Sequence, residues 1–408
     1  MGKSPQQWIR ISIINLLIVS FVGVILRYKI AFALPIIDQK HLLHGHSHFA
    51  FAGWINQTIM VLIINAIAKQ QNESLIKRFT PLLYINLITA YGMLISFAIS
   101  GYTIYSISFS TLSIINSYFF GILVWKEINK LGNNLTSYWW FKAGFVFNIL
   151  SSIGAFALSF LMANSSINQN YYLLAVYAFL HFQYNGWFFF ACMGLFISQI
   201  EKIVGVYKNF KLIFWLFTIA CIPAYFLSVL WLPIQALGYS FIVLAAILQC
   251  LGWGFLLIII YRNQEQFVAL FNNKGRWLAY LAGIALSIKL LLQLISTIPF
   301  LGQLAFGFRP VVIGYLHLML LGVISLFLLG YIYTNHLYKL NFYTKIGSIV
   351  FVVGIILNQI ILLVQGFEAM NYVGIPFINE ILFTLAIIMF SGMLLINIQS
   401  DFNHKSKK

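Results

Sequence analysis

The sequence predicts an all-α integral membrane protein of twelve transmembrane helices, and three observations carry that prediction. The 408-residue chain is 61% hydrophobic and 8% charged, with a mean hydropathy of +0.91. That is more apolar than a water-soluble core requires. Apolar runs of about twenty residues recur along the whole chain, each long enough to cross a hydrocarbon layer as a helix. In lipid the backbone must satisfy its own hydrogen bonds, so such runs read as helices, not barrel strands. Finally, the basic residues fall in short loops between the runs.

The first span, 8–28, follows a basic start, MGKSPQQWIR, that has the look of a signal peptide. Its length, the Arg27 and Lys29 that follow, and the lack of a convincing cleavage site make it a retained helix. The remaining spans are expected at 43–68, 80–102, 105–127, 139–164, 172–199, 211–233, 237–261, 277–299, 310–335, 344–366 and 377–399. The joining loops are short, with no Pro/Gly/Ser-rich linker and no inserted soluble domain. One membrane domain covers 1–408.

The formal net charge of +16 raises nucleic acid as a partner. The cations do not form one patch, however. Lys69, Lys77, Arg78, Lys126, Lys130, Lys202, Arg262, Arg276, Lys339 and the tail HKSKK lie at the termini or beside loops after even-numbered spans, whereas the loops after spans three, five and seven hold none. The positive-inside rule accounts for this pattern and places both termini in the cytoplasm of a multi-pass protein of the cell (inner) membrane. The lipid bilayer is the expected partner, not nucleic acid. Cys192, Cys221 and Cys250 all fall inside apolar spans, which argues against a disulfide framework.

The most informative stretch is HLLHGHSHFAFAGW, residues 41–54, which holds four of the eight histidines. Span two reads His48-FAFA-Gly53-Trp54, span six His181-FQYN-Gly186-Trp187, and span ten His317-LMLL-Gly322. Each is His-x4-Gly, and the histidines stand 133 and 136 residues apart, four spans each time. Three pseudo-repeated four-helix units, approximately 1–130, 131–262 and 263–408, follow from this pattern. Each histidine then lies roughly 9–15 Å below the outer surface at 1.5 Å of rise per residue, where an ionisable side chain is costly and normally functional. The plainer alternative is a neutral histidine hydrogen-bonded between helices. On the functional reading, each glycine makes room for a flat, bulky group; on the plainer one, it permits close helix packing.

At about 100° per residue, His41, His44 and His48 form one stripe, while His46 lies roughly 200° from His48. An H-x-H pair on a helix therefore serves two different sites. His41 and His44 belong near the water interface, with His44 a lesser candidate ligand, and His336 and His404 are ordinary loop and tail residues. Facing helices can hold porphyrin iron through axial histidines. Zinc would want a tetrahedral set that the scattered cysteines and scarce acids do not offer, whereas copper could accept two or three imidazoles. Haem propionates want basic partners, and Arg309, eight residues before His317, is the first choice; an interfacial anchor is its other reading. Arg27, Lys29 and Lys40 cluster before span two. No C-x-x-C-H motif is present, so haem would be b-type.

Twelve spans in three arcs, with histidines on helices two, six and ten, resemble the catalytic subunit of the haem–copper oxidase and nitric oxide reductase superfamily. The stretch His46-Ser-His48-Phe-Ala-Phe-Ala-Gly53 is similar to the reductases' H-x-H-x-A-F-x-G helix, which in that family is helix ten and here is helix two. The NnrS family of twelve-span haem proteins is nearer in length. The resemblance implies one or two haem b groups held by His46, His48, His181 and His317, a small gas ligand such as nitric oxide or oxygen, and an electron-donor subunit or cytochrome. It implies that His48 holds one haem and that His46 faces a second site shared with His181 or His317. The departures are the missing His-His pair in span seven, the missing His-x3-Tyr tyrosine after His181, whose third following residue is Tyr184, and the missing acidic residues of the reductase site. These depart from a conventional binuclear oxygen-reducing centre and leave open whether the protein is an oxidoreductase (the favoured reading), an electron carrier or a gas sensor.

Lys289 and Gln293 lie one turn apart in mid-span nine, where an intramembrane lysine marks a proton path or a buried network. Two other readings compete with a haem redox protein. One is a membrane transporter or metal-uptake protein with an outer histidine cluster, which would favour ionisable residues continuing across the membrane. The other is a scaffold, which leaves the repeat unexplained.

Overall fold

The computed structural model describes residues 3–71, 75–132, 135–164, 168–205, 208–270 and 273–398. The tail, with His404 and its lysines, lies outside the described residues. Among the described residues every regular element is helical. The main helices are α1 (Pro5–Ala31), α2 (Gln39–Gln71), α3 (Ile76–Ser100), α4 (Ile104–Lys130), α5 (Thr136–Ala163), α6 (169–204), α7 (Lys208–Cys221), α8 (Ala236–Arg262), α9 (Asn273–Ile295), α10 (Arg309–Thr334), α11 (Phe342–Asn371) and α12 (Ile378–Asn397). Ten helices among the described residues are long and apolar enough to cross a membrane. They become eleven if Asn209–Cys221 and Pro223–Val229, bent by 45°, form one span.

Two elements depart from the expected spans. The run expected at 211–233 breaks at Pro223, whose missing N–H cannot continue the α-ladder. The chain tightens there into a 3₁₀ segment, Pro223–Val229, with Tyr225 N–H donating to the Ile222 carbonyl at 3.1 Å. The α6 helix is continuous but is not among the ten.

The helices group into two units. In the first (1–65, 74–119 and 331–408), Ser4 and Gln7 form a reciprocal capping box that starts α1. Helix α11 packs on α12 through glycines. A Cβ on Gly392 would stand 2.6 Å from the Phe351 backbone nitrogen and 2.8 Å from the Gly347 carbonyl oxygen, so only glycine lets these backbones approach so closely. In the second unit (66–73 and 120–330), Gly154 does the same for α5 against α6: a Cβ there would stand 2.6 Å from the Ala175 carbonyl oxygen and 2.5 Å from the Phe179 nitrogen.

Three helices change pitch partway along. The α2 helix contains a π-helical segment at Ala50–Asn56, α6 one at Phe182–Phe188, and α10 one at Leu318–Ser325. A π turn spaces its hydrogen bonds by five residues instead of four. It disturbs the carbonyl ladder, and such segments concentrate at functional positions. In each case the α-helical stretch before the segment is less buried than the sealed stretch after it.

Candidate functional site

The three π segments fall where the three His-x4-Gly motifs are. His181 and His317 are the last α-helical residues before their segments, His48 is the last but one, and Gly53, Gly186 and Gly322 lie within the segments. A disturbed hydrogen-bond ladder in an apolar bundle needs its carbonyls satisfied, and at α2 the neighbouring helices supply the donors. In the first unit, Asn15 of α1, fully buried, donates to the Gly53 carbonyl at 2.6 Å and accepts from the Tyr91 hydroxyl at 2.7 Å. Asn86 of α3 donates to the Ala52 carbonyl at 2.9 Å and to Gln57 Oε1 at 2.7 Å, and accepts from Asn56 at 2.9 Å. In the second unit, Ser325 donates to the Leu320 carbonyl of its own segment at 2.8 Å. Ser151 of α5 donates to the Phe179 carbonyl at 3.0 Å, one turn before the α6 segment.

Asn15 precedes Gly53 by 38 positions, and Asn148 precedes Gly186 by the same interval. The third motif lacks it, with Ile284 at that place.

The four clustered histidines separate by face. His46 turns to α1, hydrogen-bonding to the Val19 carbonyl, with its Cε1 3.5 Å from where a Gly23 Cβ would stand. Asn15, Val19 and Gly23, spaced four apart, thus form one stripe of α1 that meets both the π segment and His46. His48 turns to α3 and stacks on Phe97, with ring centroids 4.4 Å apart and 10° between planes. His44 shares that side, edge-on to Tyr102 at 4.7 Å. His41 lies against Gly101, whose φ of +65° and missing side chain admit the ring; a Cβ there would stand 2.5 Å from it.

His181 is 2% exposed. Its Nε2 lies 2.9 Å from the Cys221 carbonyl oxygen, where α7 breaks and the 3₁₀ turn begins. A carbonyl only accepts, so Nε2 carries the proton and Nδ1 accepts from Asn185 Nδ2 at 3.2 Å. Both nitrogens are committed. His317 differs: its Nδ1 donates to the Ile313 carbonyl at 2.9 Å, which puts the ring lone pair on Nε2.

Protein side chains occupy the space beside the three glycines, as the packing reading of the motif expects. A Cβ on Gly186 would stand 2.6 Å from Phe147 Cβ, one on Gly322 3.2 Å from Ala285 Cβ, and one on Gly53 2.7 Å from the ring of its own Phe49. The glycines permit close packing. His44 departs from expectation, since its Nε2 is buried without a hydrogen-bond partner instead of facing water. Arg309 opens α10 as an exposed residue. Lys289 and Gln293 are buried, with Nζ donating to Oε1 at 2.5 Å.

A haem iron asks for an imidazole with a lone pair and accessible surface. His317 fits by tautomer. His46 fits in part, because its buried Nδ1 has no hydrogen-bond partner although its ring is tied to Val19. His46, His48 and His317 keep part of their surface accessible. His181, sealed and doubly bonded, does not fit as it stands. Among the described residues, no group of three or more His, Cys, Asp or Glu side chains is placed to hold a metal ion.

Fold and site together define a polytopic helical membrane protein with histidines set at three π-helical segments. No family model matches the chain, and no curated protein matches it.

Proposed function

We propose that this protein is a haem-binding membrane redox protein, handling electrons or a small gas such as nitric oxide or oxygen near the outer face of the inner membrane. The observation that carries the proposal is the placement of His48, His181 and His317 at the mouths of three π-helical segments. The recurrence of one motif with one rare backbone form supports a common design at the three positions, with His48 and His317 as its iron-binding members and His181 as its structural one.

The proposed architecture has twelve crossings in three four-helix units. The α6 helix and the bent α7 pair supply the two crossings beyond the ten that length and apolarity pick out. His317 and His48 are the axial candidates, and His46 is the candidate for a second site on the opposite face of α2. Arg309, the exposed cation eight residues before His317, is the proposed propionate partner. His181 acts differently: it holds the broken end of α7 to α6. Bound haem b would supply one-electron chemistry and, where an iron position is open, reversible gas binding.

The test is the pyridine haemochrome and reduced-minus-oxidised spectra of detergent-purified protein expressed with ample haem. The expected result is a b-type signal, diminished in His317→Ala and His48→Ala and retained in His181→Ala. Protein without haem under those conditions would overturn the proposal and leave metal uptake at the histidine cluster as the reading to test.

A further inference from the structure

A second chemical feature centres on α9. Lys289, at mid-helix in α9, is 3% exposed. The groups that face it come from five helices. On α9 itself, Gln293 Oε1 accepts from Nζ at 2.5 Å. From α8, Gln249 Oε1 accepts from Gln293 Nε2 at 2.8 Å, and Cys250 stands near. The α7 helix contributes Cys221 and α6 contributes His181. Tyr315 of α10 directs its hydroxyl to Gln293 Oε1 at 3.5 Å. Among the described residues, no carboxylate pairs with the ammonium.

A permanent ammonium in such a place is expensive. Inside a membrane it needs a counter-charge or a route to water, and neutral amide, thiol and phenol groups supply neither. An anion would solve the problem if donors converged on a point beside Nζ, as they do in built anion sites. Here the donors converge elsewhere: Lys289 and Tyr315 both point at Gln293 Oε1, and Gln293 spends its amide on Gln249. The remaining solution is loss of the proton. A neutral amine still donates to Gln293 Oε1, so the network survives the change.

We propose that Lys289 is a proton-binding site inside the helix bundle, alternating between ammonium and free amine while it stays hydrogen-bonded to the Gln293–Gln249–Tyr315 cluster. The reaction is simple dissociation. The ammonium releases one proton to water, the nitrogen keeps the electron pair, and uptake reverses the step. The proposal does not depend on haem.

The test is thermal unfolding of the purified protein and of the Lys289→Met and Lys289→Arg variants, from about pH 6 to about pH 10, just below the ordinary lysine value of ~10.4. Other titrating groups cancel in the comparison with Lys289→Met. An unfolded chain holds the lysine proton up to that value, while the folded protein gives it up earlier, so stability rises with pH in between. The wild type should gain a few degrees in Tm relative to Lys289→Met toward the alkaline end. Lys289→Arg, which cannot lose its proton, should be the least stable of the three at every pH.

A Tm difference between wild type and Lys289→Met that stays flat with pH, together with an arginine variant as stable as wild type, would mean a permanent cation and overturn the proposal. So would a wild-type Tm raised by sodium chloride or sodium nitrite at constant ionic strength and unaffected in Lys289→Met, since that marks an anion site.

Discussion

Replacing Asn15 with alanine tests whether the π segment of α2 is held in place from outside. The substitution removes a 2.6 Å hydrogen bond to the Gly53 carbonyl and a 2.7 Å bond from the Tyr91 hydroxyl, both at a fully buried residue. A buried carbonyl left without its donor costs about 1–3 kcal/mol. Tyr91 is half-buried and can turn elsewhere, so its share is smaller. Interhelical hydrogen bonds in membranes average about 0.6 kcal/mol and reach about 1.7 kcal/mol, because the unfolded reference also finds partners. An overall loss of ~2 kcal/mol follows from the upper part of those two ranges. The measurement is equilibrium unfolding in mixed micelles, with Ser20→Ala as control. The Ser20 hydroxyl reaches only the Leu17 carbonyl of its own helix, at 2.7 Å, and its loss should stay within ~0.5 kcal/mol. If Asn15→Ala were no less stable than Ser20→Ala, the argument that α1 secures this segment would be refuted.

Other outcomes follow from the same geometry. Gly392→Ala drives a methyl against the backbone of Phe351 and Gly347 and should cost about 1–3 kcal/mol of overpacking; Gly254→Ala, with nothing within 4 Å, should leave Tm unchanged. His181→Ala strands the Cys221 carbonyl and Asn185 and should lower stability by about 1–3 kcal/mol, read by the same unfolding assay. Asp38 caps α2 by accepting from His41 N–H at 2.8 Å, and that bond holds its carboxyl below the usual range. The stabilisation is therefore present above the ordinary carboxylate value and lost as pH falls through the lowered one. The Tm deficit of Asp38→Ala should shrink to nothing on acidification.

Much of this arrangement was legible in the sequence, and the exceptions have physical reasons. Spans declared themselves because twenty apolar residues have few other uses. The two-faced histidine cluster followed from 100° per residue, and the structure sets His46 against α1 and His48 against α3. Lys289 and Gln293 were visible as a pair because one helix carries both, whereas Gln249 and Tyr315 join them across helices and left no local mark. The glycines carried two readings, since a missing side chain makes room for a neighbour's ring as readily as for a ligand, and Phe147 takes that room at Gly186. The break at Pro223 was readable but was overridden by the apolar run around it. The π segments had no compositional signature, because a wider turn changes the count of residues and not their kind.

That last point bears on how these helices tolerate change. Taking one residue out of a widened turn returns it to ordinary pitch. Everything on its N-terminal side then swings by about 100° and shifts by about 1.5 Å. For α2, shortening 50–56 by any single residue would carry His46 off the α1 stripe and His48 off Phe97 together, with every histidine still present. The aim of these side chains is stored as a number of residues. Length polymorphism should therefore be far more damaging here than most substitutions, and conversely a one-residue insertion or deletion is a means of re-aiming an entire half-helix without altering its chemistry.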